Sequence, residues 1–363
     1  MSPPKTKKPL QTGGSDAAAV DESTLNLDVQ CSYDNTEKEL KQHFQPKKAA
    51  SVRLSEAYFG MSMRSSPDAA DFETRSKRVG TCGEYLEFHV TEKGSKLARA
   101  FFCKDRLCPM CNWRRSLKVF SQMSKVMDAL QSQGYQFLFL TLTVKNCSGD
   151  DLGVVLDEMQ HAWTRMMHLK AVKKAVCGTF RAIEVTRNRR TGEYHPHYHV
   201  VLAVRPDYFK KCYITQTSWK NMWRDSCRLS YDPVVDIRTI KADSKKDMAK
   251  AVAETSKYAV KDKDYLAGDN LQVSHNVEVL LQGLTQRKLC SWTGCFLEEM
   301  KKLKFDDAES GDLLHVDPDE IREDLSYLIV RFHWCAGAYV AGEMTPVHVQ
   351  NFRPLVAAAD TDL

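Results

Sequence analysis

The stretch His195-Pro196-His197-Tyr198-His199-Val200-Val201-Leu202-Ala203-Val204 sets three imidazoles at alternate positions at the head of an apolar run. Successive side chains of a β-strand point to opposite faces, so His195, His197 and His199 share one face while Tyr198, Val200 and Leu202 take the other. The preceding phrase, RAIEVT, carries Glu184. If Thr179 to Thr186 and Tyr194 to Val204 are the two strands of a hairpin turned at RNRRTGE, an even-numbered loop pairs Glu184 with His197 or, one step on, with His199. Either register brings a carboxylate beside the imidazoles. Two imidazoles and one carboxylate leave open positions on a divalent ion, as Lewis-acid catalysis requires. A lone histidine here would read as a structural group. Three at period two opposite a carboxylate read as a metal site.

Two other clusters carry chemistry. In AVAETSKYAVKDKDY a helix puts Glu254 and Tyr258 on one face, a turn apart, with Lys261 one turn further. Tyrosine is a poor nucleophile at neutral pH unless its proton is removed or its phenolate stabilised, and a neighbouring lysine with a metal-polarised phosphate would do both. Taken alone, the pattern reads as an ordinary amphipathic helix. Cys103, Cys108 and Cys111 stand as C-x4-C-x2-C with Cys82 upstream. Four thiolates would close a tetrahedral Zn²⁺ site that staples a small subdomain, the alternative being four buried thiols. Beside them, NWRRSLK offers Arg114, Arg115 and Lys118 either to DNA phosphates or to solvent.

These groups need a scaffold. QFLFLTLTV (Gln136 to Val144) reads as a strand, Asp151 to Val176 as an amphipathic helix, Thr217 to Arg228 as a helix, VVDIRTI as a strand and Ser244 to Val260 as another helix. The alternation around a hairpin predicts an α+β fold, a central antiparallel β-sheet backed by helices, with a small Cys-rich zinc-binding insertion. Residues 1–50 read as a flexible arm, and 51–130 as an N-terminal region with the four-cysteine zinc subdomain at 78–115. Residues 131–268 form the core, and 269–363 a C-terminal region with a helix near Gly294 to Leu303, an acidic loop and a closing hairpin.

Composition sets limits. The chain has 363 residues, 43% hydrophobic and 27% charged, ordinary for globular protein and enough for two folded units. Asp306 to Asp324 holds nine acids against Arg322 alone, so the rest of the chain is more basic than the overall +5 suggests, and a polyanionic partner fits. The first residues lack the apolar core of a signal peptide, and Tyr327 to Val340 is too short for a bilayer and carries Arg331 and His333. A cytoplasmic protein without a membrane partner follows, its twelve cysteines reduced or metal-bound.

FLFLTLTV, HPHYHVVLAV and ETSKYAVKDKDY, in that order, resemble motifs one to three of the rolling-circle replication initiator (Rep) proteins of small Gram-positive plasmids, within the HUH endonuclease superfamily. The resemblance extends to FCKDRLCPMCNWRRSLK and LLHVDPDE, and so covers most of the chain from about Val79. It implies an HUH-like fold in which His197 and His199 bind Mg²⁺ or Mn²⁺ at the scissile phosphate. It implies that Tyr258 forms a 5′-phosphotyrosyl link and frees a 3′-OH primer, and that Glu254 is the base for a terminating water. Glu184 as third ligand rests on the hairpin geometry, and His195 with His197 is the alternative imidazole pair. The implied partners are the plasmid double-strand origin, a single-stranded stem-loop, and a host helicase and DNA polymerase; a homo-oligomer is allowed. Origin contacts would fall in the C-terminal region, with Trp292, Lys301, Lys302 and Lys304 as candidates. A single-tyrosine transposase or relaxase shares this chemistry, although relaxases place the nucleophile near the N-terminus. A zinc DNA-binding regulator without cleavage, or a small-molecule hydrolase, would each leave part of the constellation unexplained.

Overall fold

The structure, a computed structural model, describes residues 22–241, 245–257, 259–316 and 327–347. Four helical segments come first: α1 (Glu22–Glu39), a π-helical turn (Leu40–Phe44), α2 (Gln45–Ser62) and α3 (Ala69–Gly80). The hairpin β1 (Tyr85–Thr91) and β2 (Gly94–Ala100) leads to α4 (Pro109–Ser132), β3 (Gln136–Thr143), α5 (Leu152–Met167) and α6 (Lys170–Ala175). The long hairpin β4 (Val176–Arg187) and β5 (Tyr194–Val204) is followed by α7 (Tyr208–Lys211), α8 (Gln216–Cys227), β6 (Val235–Ile240) and α9 (Lys245–Thr255). The chain continues through α10 (Asp262–Tyr265), α11 (Asn270–Leu284), β7 (Cys290–Gly294) and α12 (Cys295–Lys302) to a last hairpin, β8 (Tyr327–Cys335) and β9 (Ala338–Val347).

The architecture is α+β with antiparallel sheets backed by helices, as the sequence predicts. The central sheet has the order β6-β3-β5-β4-β7, and a four-stranded sheet has the order β2-β1-β8-β9. One face of the central sheet presents Leu138, Leu140, Tyr198, Val200 and Leu202 to Trp163 of α5 and Trp219 and Trp223 of α8. The other presents Phe137, Phe180, Ala182, Val201 and Ala203 to Val119, Met123 and Met127 of α4 and to Val252 of α9. β5 is therefore buried on both sides, and its second half reads as an unbroken apolar run.

Several elements differ from the sequence reading. Residues 22–50, read as part of an arm, are helical, and Leu40 and Phe44 are buried. These two sit one helical turn apart, and the Phe44 ring meets Trp113 at 4.7 Å and Phe88 at 5.7 Å, edge-on to both. Residues 1–21 lie outside the described residues. The closing hairpin is present and joins β1 in the four-stranded sheet, a placement the sequence reading left open. α11 was not anticipated because three valines interrupt its helix-forming character, yet Val277, Leu280 and Leu284 bury one face. β7 was hidden by its length of five residues.

β7 passes directly into α12 through Gly294, whose φ is +54°. A Cβ there would stand 2.1 Å from the Cys177 carbonyl oxygen and 2.8 Å from the Gly178 Cα, both backbone atoms of β4. Gly294→Ala is expected to cost on the order of 2–4 kcal/mol in chemical denaturation. An unchanged midpoint would show that β7 does not approach β4 this closely.

Candidate active site and a second metal-ligating cluster

The β4–β5 register opposes Glu184 to His197, the first of the two pairings the hairpin allowed. His199 lies two residues along on the same face, opposite Ala182 on β4 and Thr141 on β3. The Nε2 atoms of His197 and His199 stand 3.3 and 3.0 Å from one carboxylate oxygen of Glu184. The ligand atoms of these three residues all lie within 4.8 Å of one another. His197 Nδ1 is 3.2 Å from the His195 carbonyl oxygen, which can only accept, so Nδ1 donates there and Nε2 is the ring atom turned to Glu184. Two imidazole nitrogens and a carboxylate meet on a largely buried surface, a donor set that suits a divalent cation.

Glu184 is buried, which pushes its carboxyl up, but hydrogen bonds from His197 and His199 and the Lys261 charge outweigh this and hold it well below the usual carboxylate range. Lys261 Nζ lies 3.2 Å from the second oxygen of that carboxylate. Phe139, two residues before Thr141 on β3, stacks on the His199 ring at 5.6 Å, and the Thr141 hydroxyl is 3.4 Å from His199 Nδ1. Neither residue was singled out from the sequence, although the alternation of QFLFLTLTV puts both on one face.

His195 does not converge with the cluster. Its ring is 5.4 Å from that of His197, burial pushes its pKa down, and its contribution is the backbone carbonyl that orients His197.

Lys261 reaches Glu184 by a route the helical spacing did not foresee. α9 ends at Thr255, so Glu254 and Lys261 are not aligned along one helix. β7 pairs with β4 only as far as Ala182, and the bare edge beyond it is covered by backbone: Ile183 N–H donates to the Leu289 carbonyl and Val185 N–H to the Ala259 carbonyl. That second bond pulls the chain out of the helix and returns it to the site. Lys47 of α2 pairs with Asp262 at 2.7 Å and fixes the next residue. Glu254 is ion-paired with Lys257 and belongs to a different group from the Glu184 cluster. Tyr258 lies outside the described residues; its neighbours Lys257 and Ala259 are described.

The four cysteines come together with no exposed surface. Sγ to Sγ distances are 3.5 Å for Cys82–Cys111, 3.6 Å for Cys103–Cys111 and 3.6 Å for Cys82–Cys108. Bonded disulfides are far shorter, while a tetrahedral ion with bonds of about 2.3 Å would separate its sulfurs by about 3.8 Å. Backbone N–H groups of Lys104 and Asp105 point at Cys111 and Cys103, and the Ser51 hydroxyl lies 3.4 Å from Cys108. This donor shell suits thiolates.

Arg114, Arg115 and Lys118 are engaged with acceptors within the chain. All three are buried. Arg114 donates to the carbonyls of Leu313 and Leu314, Arg115 to those of Lys104, Asp105 and Glu309, and Lys118 to the Asp306 carboxylate and the Asp312 carbonyl. Their charge serves to clamp the acidic loop onto α4. The rest of that loop, 317–326, lies outside the described residues.

A groove of about 330 Å³ runs beside the site, between α4 and the segment after α9, with Trp113, Leu117 and Phe120 on one wall and Lys47, Lys257 and Lys261 on the other. Among the described residues no helix is long and apolar enough to cross a membrane.

A family model described as "Replication protein" matches residues 94–340. The chain is 36% identical to a "Protein rep" of Bacillus sp over 80% of this chain and 97% of that one. It is 40% identical to a "Protein rep" of Streptococcus pneumoniae serotype 2 (strain D39 / NCTC 7466) over 68% and 78% respectively. A "Replication protein" of Staphylococcus aureus is 38% identical over 61% of this chain and 94% of its own. No solved structure matches.

Proposed function

This chain belongs to a family of replication proteins, and from that premise we propose that it starts rolling-circle replication of a plasmid by cutting one DNA strand at the origin. The observation that carries this reading is the convergence of Glu184, His197 and His199 on one face of the sheet, with Ala259 and Lys261 brought back beside them.

Glu184, His197 and His199 would hold a divalent cation, Mn²⁺ or Mg²⁺, which when bound would polarise the scissile phosphate. Two imidazoles favour Mn²⁺ of the two. Tyr258 attacks phosphorus through its phenolic oxygen; the P–O bond to tyrosine forms, the bond to the 3′ oxygen breaks, and that oxygen becomes the 3′-OH primer. The phenol's proton passes by way of solvent to the departing 3′ oxygen, and the Lys261 ammonium stabilises the phenolate meanwhile. Glu254 later takes a proton from water as the water displaces tyrosine and ends the cycle. The groove beside the site suits the flanking single strand, with aromatic walls for bases and lysines for phosphates. The cysteine cluster would hold a structural Zn²⁺.

Incubation of the purified protein with labelled single-stranded stem-loop DNA and Mn²⁺, resolved on a denaturing gel, is expected to give a covalent protein–DNA band that chelation abolishes. Binding without cleavage on every stem-loop tested would return the reading to a non-cutting replication regulator. Glu254→Ala is expected to nick at close to the normal rate while its covalent product accumulates. Release at the normal rate in that variant would remove Glu254 from its role.

A further inference from the structure

Behind the central sheet, on the face opposite Glu184, lies a cavity of about 670 Å³, a size typical of small-molecule sites. β4, β5 and β7 form its floor, α5 one wall, and Gln286 to Lys288 the other. Arg181 stands on that floor, only 4% exposed. Its Nη2 donates to Gln160 Oε1 at 2.7 Å, but Nε and Nη1 are buried without a protein acceptor, and the Tyr198 hydroxyl is likewise unpartnered. The guanidinium lies over the Tyr198 ring at 4.5 Å and the Trp163 ring at 5.4 Å, which fixes its plane.

A buried charge without a counter-charge is costly, and ring stacking offsets only part of that cost. The lining supplies no spare carboxylate: its one acid, Asp157, is bound to Arg287. Lys173 and Lys288 stand exposed at the mouth. Four cations against one acid select an anion, and a planar guanidinium with two free N–H edges matches phosphate oxygens.

We propose that this cavity binds a phosphate-bearing small molecule, held by Arg181 and the Tyr198 hydroxyl with Lys173 and Lys288 closing over it. The occupant would touch the reverse side of the metal-ligating strands, because Tyr198 lies between His197 and His199, and Arg181 three residues before Glu184. The binding itself does not depend on the cutting reaction.

Equilibrium dialysis of the full chain with inorganic phosphate and, separately, with dTMP tests this. Wild type is expected to bind, Arg181→Gln to bind at least about tenfold more weakly, and Lys288→Ser several-fold more weakly. Lys93→Ser, in the β1–β2 turn of the other sheet, is expected to bind as wild type does. Equal affinity for both probes identifies simple phosphate as the ligand, and tighter dTMP binding identifies a nucleotide. If Arg181→Gln does not fold, Lys288→Ser and Lys173→Ser carry the test, both being surface changes. Absence of binding in wild type, binding unaffected by the cavity variants, or binding lost in Lys93→Ser alone would overturn the proposal.

Discussion

Tyr258→Phe is expected to give no covalent protein–DNA product, and His199→Ala to give almost none although it keeps the phenol. The two failures have different causes. Phenylalanine lacks the oxygen that must bond to phosphorus, so no metal concentration restores the adduct. His199→Ala leaves Glu184 and His197 as the only members of the cluster; metal affinity falls and cleavage drops by at least about a thousandfold at low Mn²⁺. Raising Mn²⁺ recovers part of that loss. The fold should persist in the alanine variant, because His199 gives up one ring stack on Phe139, a long contact to Thr141 and its contact to Glu184, whose carboxylate keeps His197 and Lys261. Circular dichroism checks this. Normal cutting by His199→Ala at low Mn²⁺ would sink the assignment of the cluster to catalysis.

The second large effect concerns the cysteines. The purified chain is expected to carry one zinc, and Cys108→Ser to lose it together with several kcal/mol of stability. The cluster ties three places in the chain: the turn after α3 at Cys82, the segment after β2 at Cys103, and the start of α4 at Cys108 and Cys111. Around it, Lys48 of α2 donates to the carbonyls of Gly80 and Cys82, and the Tyr339 hydroxyl of β9 donates to the Gly83 carbonyl. Loosening the cluster should therefore speed amide exchange in β1 and β9 as well as around the cysteines. A metal-free protein with wild-type stability and exchange would show that the four thiols are simply buried.

Where contacts are local, the sequence was legible. The β4–β5 hairpin is specified by strand periodicity and a turn, so Glu184 could be matched from the sequence with His197 or His199, the first of which is its partner. The helix through Ser244 to Val260 could not be read to its end, because local spacing favours continuation while the free edge of β4 at Val185 competes for the Ala259 carbonyl. The intramolecular partners of Arg114, Arg115 and Lys118 were hidden from the sequence for a related reason. A basic helix next to a tryptophan looks like a DNA face until a loop nearly two hundred residues away supplies its acceptors. The N-terminal helices were missed because only a few apolar side chains, Phe44 among them, anchor them, and their sockets lie on β1 and α4.

The four-stranded sheet has a consequence for how the protein is made. β1 pairs with β8, and over two hundred residues separate them, so the β1–β2 hairpin leaves the ribosome with one edge unpaired. The central sheet closes earlier, once β7 has emerged. Synthesis would thus proceed with the central sheet complete and the N-terminal unit waiting for its last two strands. A chain stalled or truncated before Tyr327 would keep the β4–β5 hairpin but present an open β-edge, the form most prone to associate with other unfinished copies.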